Sequence, residues 1–119
     1  MNAVSTEKQP DTKAPEKVVL SIIIPIYNER PVLPMLYARV RKVLEPLNIS
    51  YELVMVDDGS KDGSGQYLVD LAIAAPFVKA VRLSRNFGKE AALTAGLAHA
   101  DGDAVIILDA DLQDPPELI

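Results

Sequence analysis

The stretch that decides the fold is Val18-Val19-Leu20-Ser21-Ile22-Ile23-Ile24, which is rich in β-branched residues and almost continuously apolar. A strand of this composition is typical of a parallel sheet that is covered on both faces. We expect the strand to end where Pro25-Ile26-Tyr27-Asn28-Glu29 follows. From Leu33 to Leu44, apolar residues recur at the spacing of one helical face, which predicts the first helix.

The same alternation continues along the chain. Further strands are predicted at residues 51–56, 77–83 and 104–108, and further helices at 64–74, with Ser64 as the cap, and at 88–100. Strands that alternate with helices indicate right-handed crossovers and a mainly parallel sheet with helices on both faces. The predicted fold class is therefore α/β and Rossmann-like.

The last residues predict that the natural chain continues. Asp114-Pro115-Pro116-Glu117 has an N-cap residue, first-turn prolines and a capping-box glutamate, yet two residues follow it. We therefore interpret the chain as a fold truncated after the strand that precedes Asp109.

Composition limits the possible functions. The 119 residues suffice for one domain, and an apolar content of 49% excludes general disorder. A net charge of −5 makes nucleic acid an unfavourable partner, and the absence of cysteine excludes disulfides and thiolate metal sites. Residues 1–17 are polar and resemble neither a signal peptide nor a membrane anchor. We predict a disordered tail at 1–17, one incomplete domain at 18–119 and a cytoplasmic location.

Three predicted strands end in polar, mostly acidic residues. These are Tyr27-Asn28-Glu29, Asp57-Asp58 and Asp109-Ala110-Asp111 with Gln113. Because the carboxyl ends of parallel strands meet at one edge, these side chains are expected to be neighbours. Their mutual repulsion requires a positive charge among them, and oxygen ligands favour Mg²⁺ or Mn²⁺.

Cations lie near the predicted start of the third helix. Arg82, Arg85 and Lys89 flank or follow Ser84, and a helix N-terminus beside cations favours an anion. Taken separately, the Asp-x-Asp motif, the Asp57-Asp58-Gly59-Ser60 turn and these cations are each common on solvated surfaces. Their coincidence on one edge favours a site for a metal-bound diphosphate.

Three motifs together resemble those of family 2 glycosyltransferases with the GT-A fold. They are Ser21-Ile22-Ile23-Ile24-Pro25-Ile26-Tyr27-Asn28-Glu29, Val56-Asp57-Asp58-Gly59-Ser60 and Leu108-Asp109-Ala110-Asp111-Leu112-Gln113-Asp114-Pro115-Pro116-Glu117. With Ser84-Arg85-Asn86-Phe87-Gly88-Lys89-Glu90, the chain is similar to the polyprenyl-phosphate branch, which includes bactoprenol glucosyltransferases and dolichol-phosphate mannose synthases.

The resemblance implies a role for each residue of the predicted site. Pro25, Tyr27 and Glu29 would line the nucleotide pocket, and Asp58 would accept a hydrogen bond from the base. Arg85 and Lys89 would contact the phosphates or the donor sugar. The catalytic metal, Mg²⁺ or Mn²⁺, would be held by Asp109, Asp111 and Gln113.

The resemblance also implies the reaction. A sugar would move with inversion from a nucleoside-diphosphate sugar, with UDP favoured, to polyprenyl phosphate at the cytoplasmic face of the membrane. Three alternatives remain open at this point. They are a receiver-like phosphoacceptor domain, a phosphatase of the haloacid-dehalogenase type and a non-catalytic nucleotide-sugar-binding module.

Overall fold

The computed structural model of the protein describes residues 17–110, which form a four-stranded parallel sheet. The strands are β1 (Leu20–Ile26), β2 (Tyr51–Asp57), β3 (Val78–Arg82) and β4 (Ala104–Ile107). Their order in the sheet is β3-β2-β1-β4, so β1 pairs with β2 on one side and β4 on the other. The predicted α/β fold with a parallel sheet is confirmed, and all four carboxyl ends lie on one edge.

Helices cover both faces of the sheet, as predicted. They are α1 (Leu33–Leu44), α2 (Ser64–Ala74) and α3 (Lys89–His99). Alternate residues of β1 divide between the two faces: Ile22 and Ile24 share a core with α1 and α2, whereas Ile23 packs with α3. The longest helix has 12 residues, and no helix within residues 17–110 is long and apolar enough to cross a membrane.

The apolar face of α1 follows the predicted spacing. Leu33, Leu36, Val40 and Leu44 are fully buried, whereas Val43 is partly exposed. A short 3-10 turn (Arg30–Val32) with a proline in its first turn comes before the helix. The helix therefore directs the chain away from the carboxyl edge and buries four side chains against the sheet.

A buried polar network holds the opposite, amino-terminal edge of the sheet. The Ser21 hydroxyl donates to Glu52 Oε2 over 2.6 Å and accepts from the Gly102 amide over 2.8 Å. Glu52, 4% exposed, also accepts from the Asp101 amide and pairs with the Lys79 ammonium at 2.8 Å. Lys79 also pairs with Asp101 at 2.7 Å. The network fixes the turn between α3 and β4, and nothing in the residue pattern predicted it.

Local details differ from the predictions. Ser64 does not cap α2, because Gly63 occupies the N-cap at φ 93° and the Ser64 hydroxyl contacts Asp62 instead. The first strand does not end before Pro25, since β1 continues through it to Ile26. The predicted tail at 1–17, apart from Lys17, lies outside the described residues, as do Asp111, Gln113 and the predicted helix start at 114–117.

Candidate functional site

A cavity of about 260 Å³ lies at the carboxyl edge of the sheet, beyond β1 and β2 and beside the start of α3. Its wall includes six of the nine predicted site residues. The lining residues are Pro25, Ile26, Tyr27, Glu29, Asp58, Asn86, Gly88, Lys89, Asp109 and Ala110. Residues far apart in the sequence thus surround one space, as the topology of a parallel sheet requires.

Asp58 connects the end of β2 to the segment before α3. Its carboxylate, 4% exposed, accepts hydrogen bonds from the Phe87 amide (2.8 Å), the Gly88 amide (3.0 Å) and the Asn86 side-chain amide (3.1 Å). A carboxylate has about four acceptor positions, so one remains for a ligand donor. Asp58 therefore fixes the wall of the cavity as well as lining it.

The turn after β2 lies in close contact with the backbone of Arg85 and Asn86, in the segment before α3. Gly59 has φ +75°, and a Cβ atom there would lie 2.2 Å from the Arg85 carbonyl carbon and 2.3 Å from the Asn86 nitrogen. Glycine is therefore required for both the left-handed backbone and the close approach. Neither Gly59 nor Asn86 is among the site residues predicted from the sequence, although both lie within the quoted motifs.

The loop after β1 is held by the loop after β2. The backbone N–H of Asn28, a residue at φ 52°, donates to the Ser60 hydroxyl over 2.8 Å. The Asn28 side-chain oxygen accepts from the Lys61 backbone N–H over 2.9 Å. The Glu29 amide donates to the Ser64 hydroxyl over 3.1 Å. These bonds hold the backbone at Asn28 and Glu29, directly after Tyr27, so Tyr27 and Glu29 reach the cavity from a loop that is tied to its neighbour.

Asp62 completes this connection between the loops. It accepts from the Arg30 amide over 3.0 Å and from the Ser64 amide and hydroxyl over 3.0 Å and 2.6 Å. Burial raises the pKa of the Asp62 carboxyl, but the hydrogen bonds from Ser64 and Arg30 outweigh it, so the pKa is lowered. Asp62 is therefore an exposed carboxylate that joins the two loops and does not line the cavity.

The cations take different positions around the cavity. Lys89, the first residue of α3, places its ammonium 2.7 Å from Asp109 Oδ1 in the cavity wall. Arg85 lines an adjoining hollow, and its guanidinium lies 4.3 Å from the centre of the Phe87 ring. Arg82 lines the same hollow, and its Nε lies 3.7 Å from Asp57 Oδ2. Lys89 is thus the predicted cation that the structure brings to the acidic cavity.

The carboxylate of Asp109 fits a hard divalent cation. It lines the cavity, is 24% exposed, and its Oδ1 atom already pairs with the Lys89 ammonium. Carboxylate oxygen is the ligand type that Mg²⁺ and Mn²⁺ prefer. Within residues 17–110 there is no group of three acidic, histidine or cysteine side chains that could hold a metal. The other two predicted ligands, Asp111 and Gln113, lie outside this range.

The order of the strands eliminates one alternative function. A receiver domain has the flavodoxin-like order 2-1-3-4-5, in which the third strand lies beside the first. Here β4 lies beside β1, and β3 lies beyond β2. The receiver-like alternative is therefore wrong.

Named relatives share most of the chain. A prophage bactoprenol glucosyl transferase homolog of Escherichia coli (strain K12) is 45% identical over 100 residues, covering 84% of this chain and 33% of the relative. An undecaprenyl-phosphate 4-deoxy-4-formamido-L-arabinose transferase of Pseudomonas savastanoi pv. phaseolicola is 52% identical over 102 residues, covering 84% and 30%. The chain spans about a third of the length of the curated relatives it matches.

A solved structure with a similar fold contains a donor and a metal. It is a mannosyltransferase of Pyrobaculum calidifontis in complex with GDP-Man and Mn²⁺, with a TM-score of 0.69 and 29% sequence identity over 91% of this chain and 37% of that one. The family model described as "Glycosyl transferase family 2" matches residues 21–119. Together with the parallel sheet and its acidic edge, this match shows that the chain belongs to glycosyl transferase family 2.

Proposed function

We propose that this chain is the donor- and metal-binding part of an inverting glycosyltransferase that moves a sugar from a nucleoside-diphosphate sugar, preferably a UDP-sugar, to polyprenyl phosphate. The observation that carries the proposal is the convergence of Tyr27, Glu29, Asp58, Lys89 and Asp109 on one cavity. Tyr27 and Asp58 suit a nucleobase, whereas Asp109 and Lys89 suit a metal-bound diphosphate.

The base would lie between Tyr27 and Asp58. The Tyr27 ring is about half exposed and lines the cavity, so it offers a flat apolar surface. Asp58 retains an acceptor position for an imide N–H, which both uracil and guanine carry. Because Asp58 is held by three hydrogen bonds, this acceptor is positioned before the ligand arrives.

The diphosphate would lie between Asp109 and the start of α3. Asp109, with Asp111 and Gln113, would hold Mg²⁺ or Mn²⁺, and the ion would stabilise the negative charge that develops on the departing nucleoside diphosphate. The N-terminus of α3 and Lys89 would add positive charge on the other side of the phosphates. A lipid phosphate, with a second pKa of about 6, is largely ionised near neutral pH, so it needs little help from a general base.

Donor binding is tested by calorimetric titration of UDP-glucose and GDP-mannose, each with and without Mn²⁺. The preference for UDP rests on resemblance to the bactoprenol glucosyltransferases, whereas the structurally similar mannosyltransferase holds GDP-Man. We expect UDP-glucose to bind in the presence of Mn²⁺ and GDP-mannose to bind more weakly. Binding that is equally strong without the metal would overturn the assignment of the cavity.

Transfer is tested with the full-length enzyme that this proposal implies. Labelled UDP-glucose and undecaprenyl phosphate in vesicles should give a lipid-linked sugar, formed at the cytoplasmic face in cells. The variant Asp109→Asn should lose most of this product, because the cation loses a charged ligand. Donor binding with no transfer to any lipid phosphate would instead indicate a non-catalytic nucleotide-sugar-binding module.

A further inference from the structure

The contact between Lys89 and Asp109 points beyond a general role in phosphate binding. The Lys89 Nζ atom lies 2.7 Å from Asp109 Oδ1, and both side chains line the cavity. Lys89 begins α3, whereas Asp109 lies in the loop after β4, 20 positions further along the chain. The ammonium therefore stands where a cation bound to this carboxylate would stand.

The position of Lys89 is unfavourable for the helix itself. It is the first residue of α3, where the partial positive charge of the helix N-terminus repels a cation. Glu90, the next residue, has the charge that a first turn favours. Lys89 is thus explained by what it contacts in the cavity and not by the stability of α3.

The charges around the cavity do not balance. Among the described residues that line it, Glu29, Asp58 and Asp109 are acidic and Lys89 is basic. A diphosphate would meet this excess of negative charge, so its binding requires additional cations. A divalent ion at Asp109 would repel the Lys89 ammonium, and a phosphate oxygen is then its natural partner.

Lys89 can make this exchange without a change of the fold. Its side chain is 59% exposed and ends a flexible four-carbon stem, so the ammonium can turn from Asp109 towards a ligand in the same cavity. The surrounding wall stays in place because Asp58 holds the amides of Phe87 and Gly88. The part of the site that moves is therefore the Lys89 side chain and not the loop before α3.

We propose that Lys89 is an internal counter-ion that occupies the cation position at Asp109 until the donor arrives. Its side chain then turns, and the ammonium pairs with the diphosphate. The inference rests on the proposed function, since it assumes a metal-bound diphosphate. It makes the binding of metal and nucleotide cooperative. Metal alone must displace Lys89 from Asp109, and nucleotide alone meets an acidic cavity. When both bind, the metal offsets the negative charge that repels the nucleotide, and the diphosphate accepts the displaced Lys89 ammonium.

The experiment measures Mn²⁺ binding to the 119-residue chain by electron paramagnetic resonance, with and without UDP. In the wild type, UDP should strengthen Mn²⁺ binding about 10-fold or more, and Mn²⁺ should strengthen UDP binding by the same factor. In Lys89→Met, Mn²⁺ alone should bind several-fold more tightly, and the mutual enhancement should shrink to a few-fold or less. Lys89→Arg keeps the charge and should retain the cooperativity.

The matched control is Lys42→Met, which removes an exposed lysine from α1, outside the cavity wall, and should behave as the wild type. Circular dichroism verifies that each variant is folded. If Mn²⁺ alone binds Lys89→Met no more tightly than the wild type, the counter-ion role is wrong while the proposed function stands. If the wild type binds UDP without any dependence on Mn²⁺, the proposed function itself fails.

Discussion

The substitution Asp58→Ala tests whether the cavity wall depends on one buried carboxylate. Asp58 accepts three hydrogen bonds from residues 86–88. A hydrogen bond to a charged group contributes about 1.5–3 kcal/mol, but these donors are partly exposed and can turn to water after the substitution. We therefore expect a loss of about 2–4 kcal/mol in the free energy of unfolding, which is less than the sum of three full bonds.

Urea denaturation measures this loss. With a slope of about 1–2 kcal/mol per molar urea for a domain of this size, the midpoint should fall by roughly 1–4 M. Asp58→Asn keeps one acceptor oxygen and should lose about half as much. Asp103→Ala is the matched control, because Asp103 is an exposed carboxylate paired with Lys17 at 3.2 Å, and it should change stability by less than about 0.5 kcal/mol.

Hydrogen exchange locates the effect. In the wild type the Phe87 and Gly88 amides donate to Asp58, so both should be protected, and in Asp58→Ala both should exchange faster than the amides of β1. If the urea midpoint of Asp58→Ala matched that of Asp103→Ala, and these two amides kept their protection, the reasoning that assigns the wall to Asp58 would be refuted.

Three further predictions concern the glycine contact, the buried ion pair and the metal ligand. Gly59→Ala should cost at least about 2 kcal/mol more than Gly63→Ala in urea unfolding, because both glycines have positive φ but a Cβ atom meets neighbouring backbone only at Gly59; equal losses would contradict the close approach. Burial lowers the pKa of Lys79, but the carboxylates of Asp101 and Glu52 outweigh this effect, so the pKa is raised. The stability that Lys79 gains from these carboxylates should therefore be complete below pH about 10.4 and lost as the pH rises through the folded-state pKa. Unfolding at pH 9 to 11.5 measures this loss, and Lys79→Met should flatten the decline. Asp109→Asn should weaken Mn²⁺-dependent UDP binding about 10-fold or more, and its free energy of unfolding in urea should stay within about 1 kcal/mol of the wild type. Unchanged affinity in calorimetry would exclude Asp109 as a ligand.

The sequence predicts the sheet well because its signals are local and periodic. The apolar run that contains Ile22, Ile23 and Ile24 requires cover on both faces, and the structure buries all three completely. The same periodicity predicts the face of α1. Boundaries are less accurate, since β1 continues through Pro25 and Gly63 replaces Ser64 as the cap of α2. These details depend on contacts with other loops, which no local pattern encodes.

The sequence predicts which residue types form the site, but not the long-range contacts that hold them in place. Topology alone brings Glu29, Asp58 and Asp109 to one edge, and the structure places them around one cavity. The sequence does not reveal that Asp58 holds the loop before α3, or that Gly59 touches it, because both contacts join segments about 30 residues apart. Long-range hydrogen bonds of this kind become visible once the strands are in register.

The two edges of the sheet treat their carboxylates differently, and the difference indicates where the function lies. At the amino-terminal edge, Glu52 is buried and paired with Lys79, and its remaining oxygen accepts from Ser21 and a backbone amide. Both oxygens of Glu52 therefore already have partners, so this carboxylate has no need of a ligand. At the carboxyl edge, the described cavity wall carries more carboxylates than cations, and Lys89 with Asp109 remains partly open to solvent. Because this pair is accessible, a cation and its phosphate partner can replace its internal contact, so the proposed function places the ligand at the carboxyl edge.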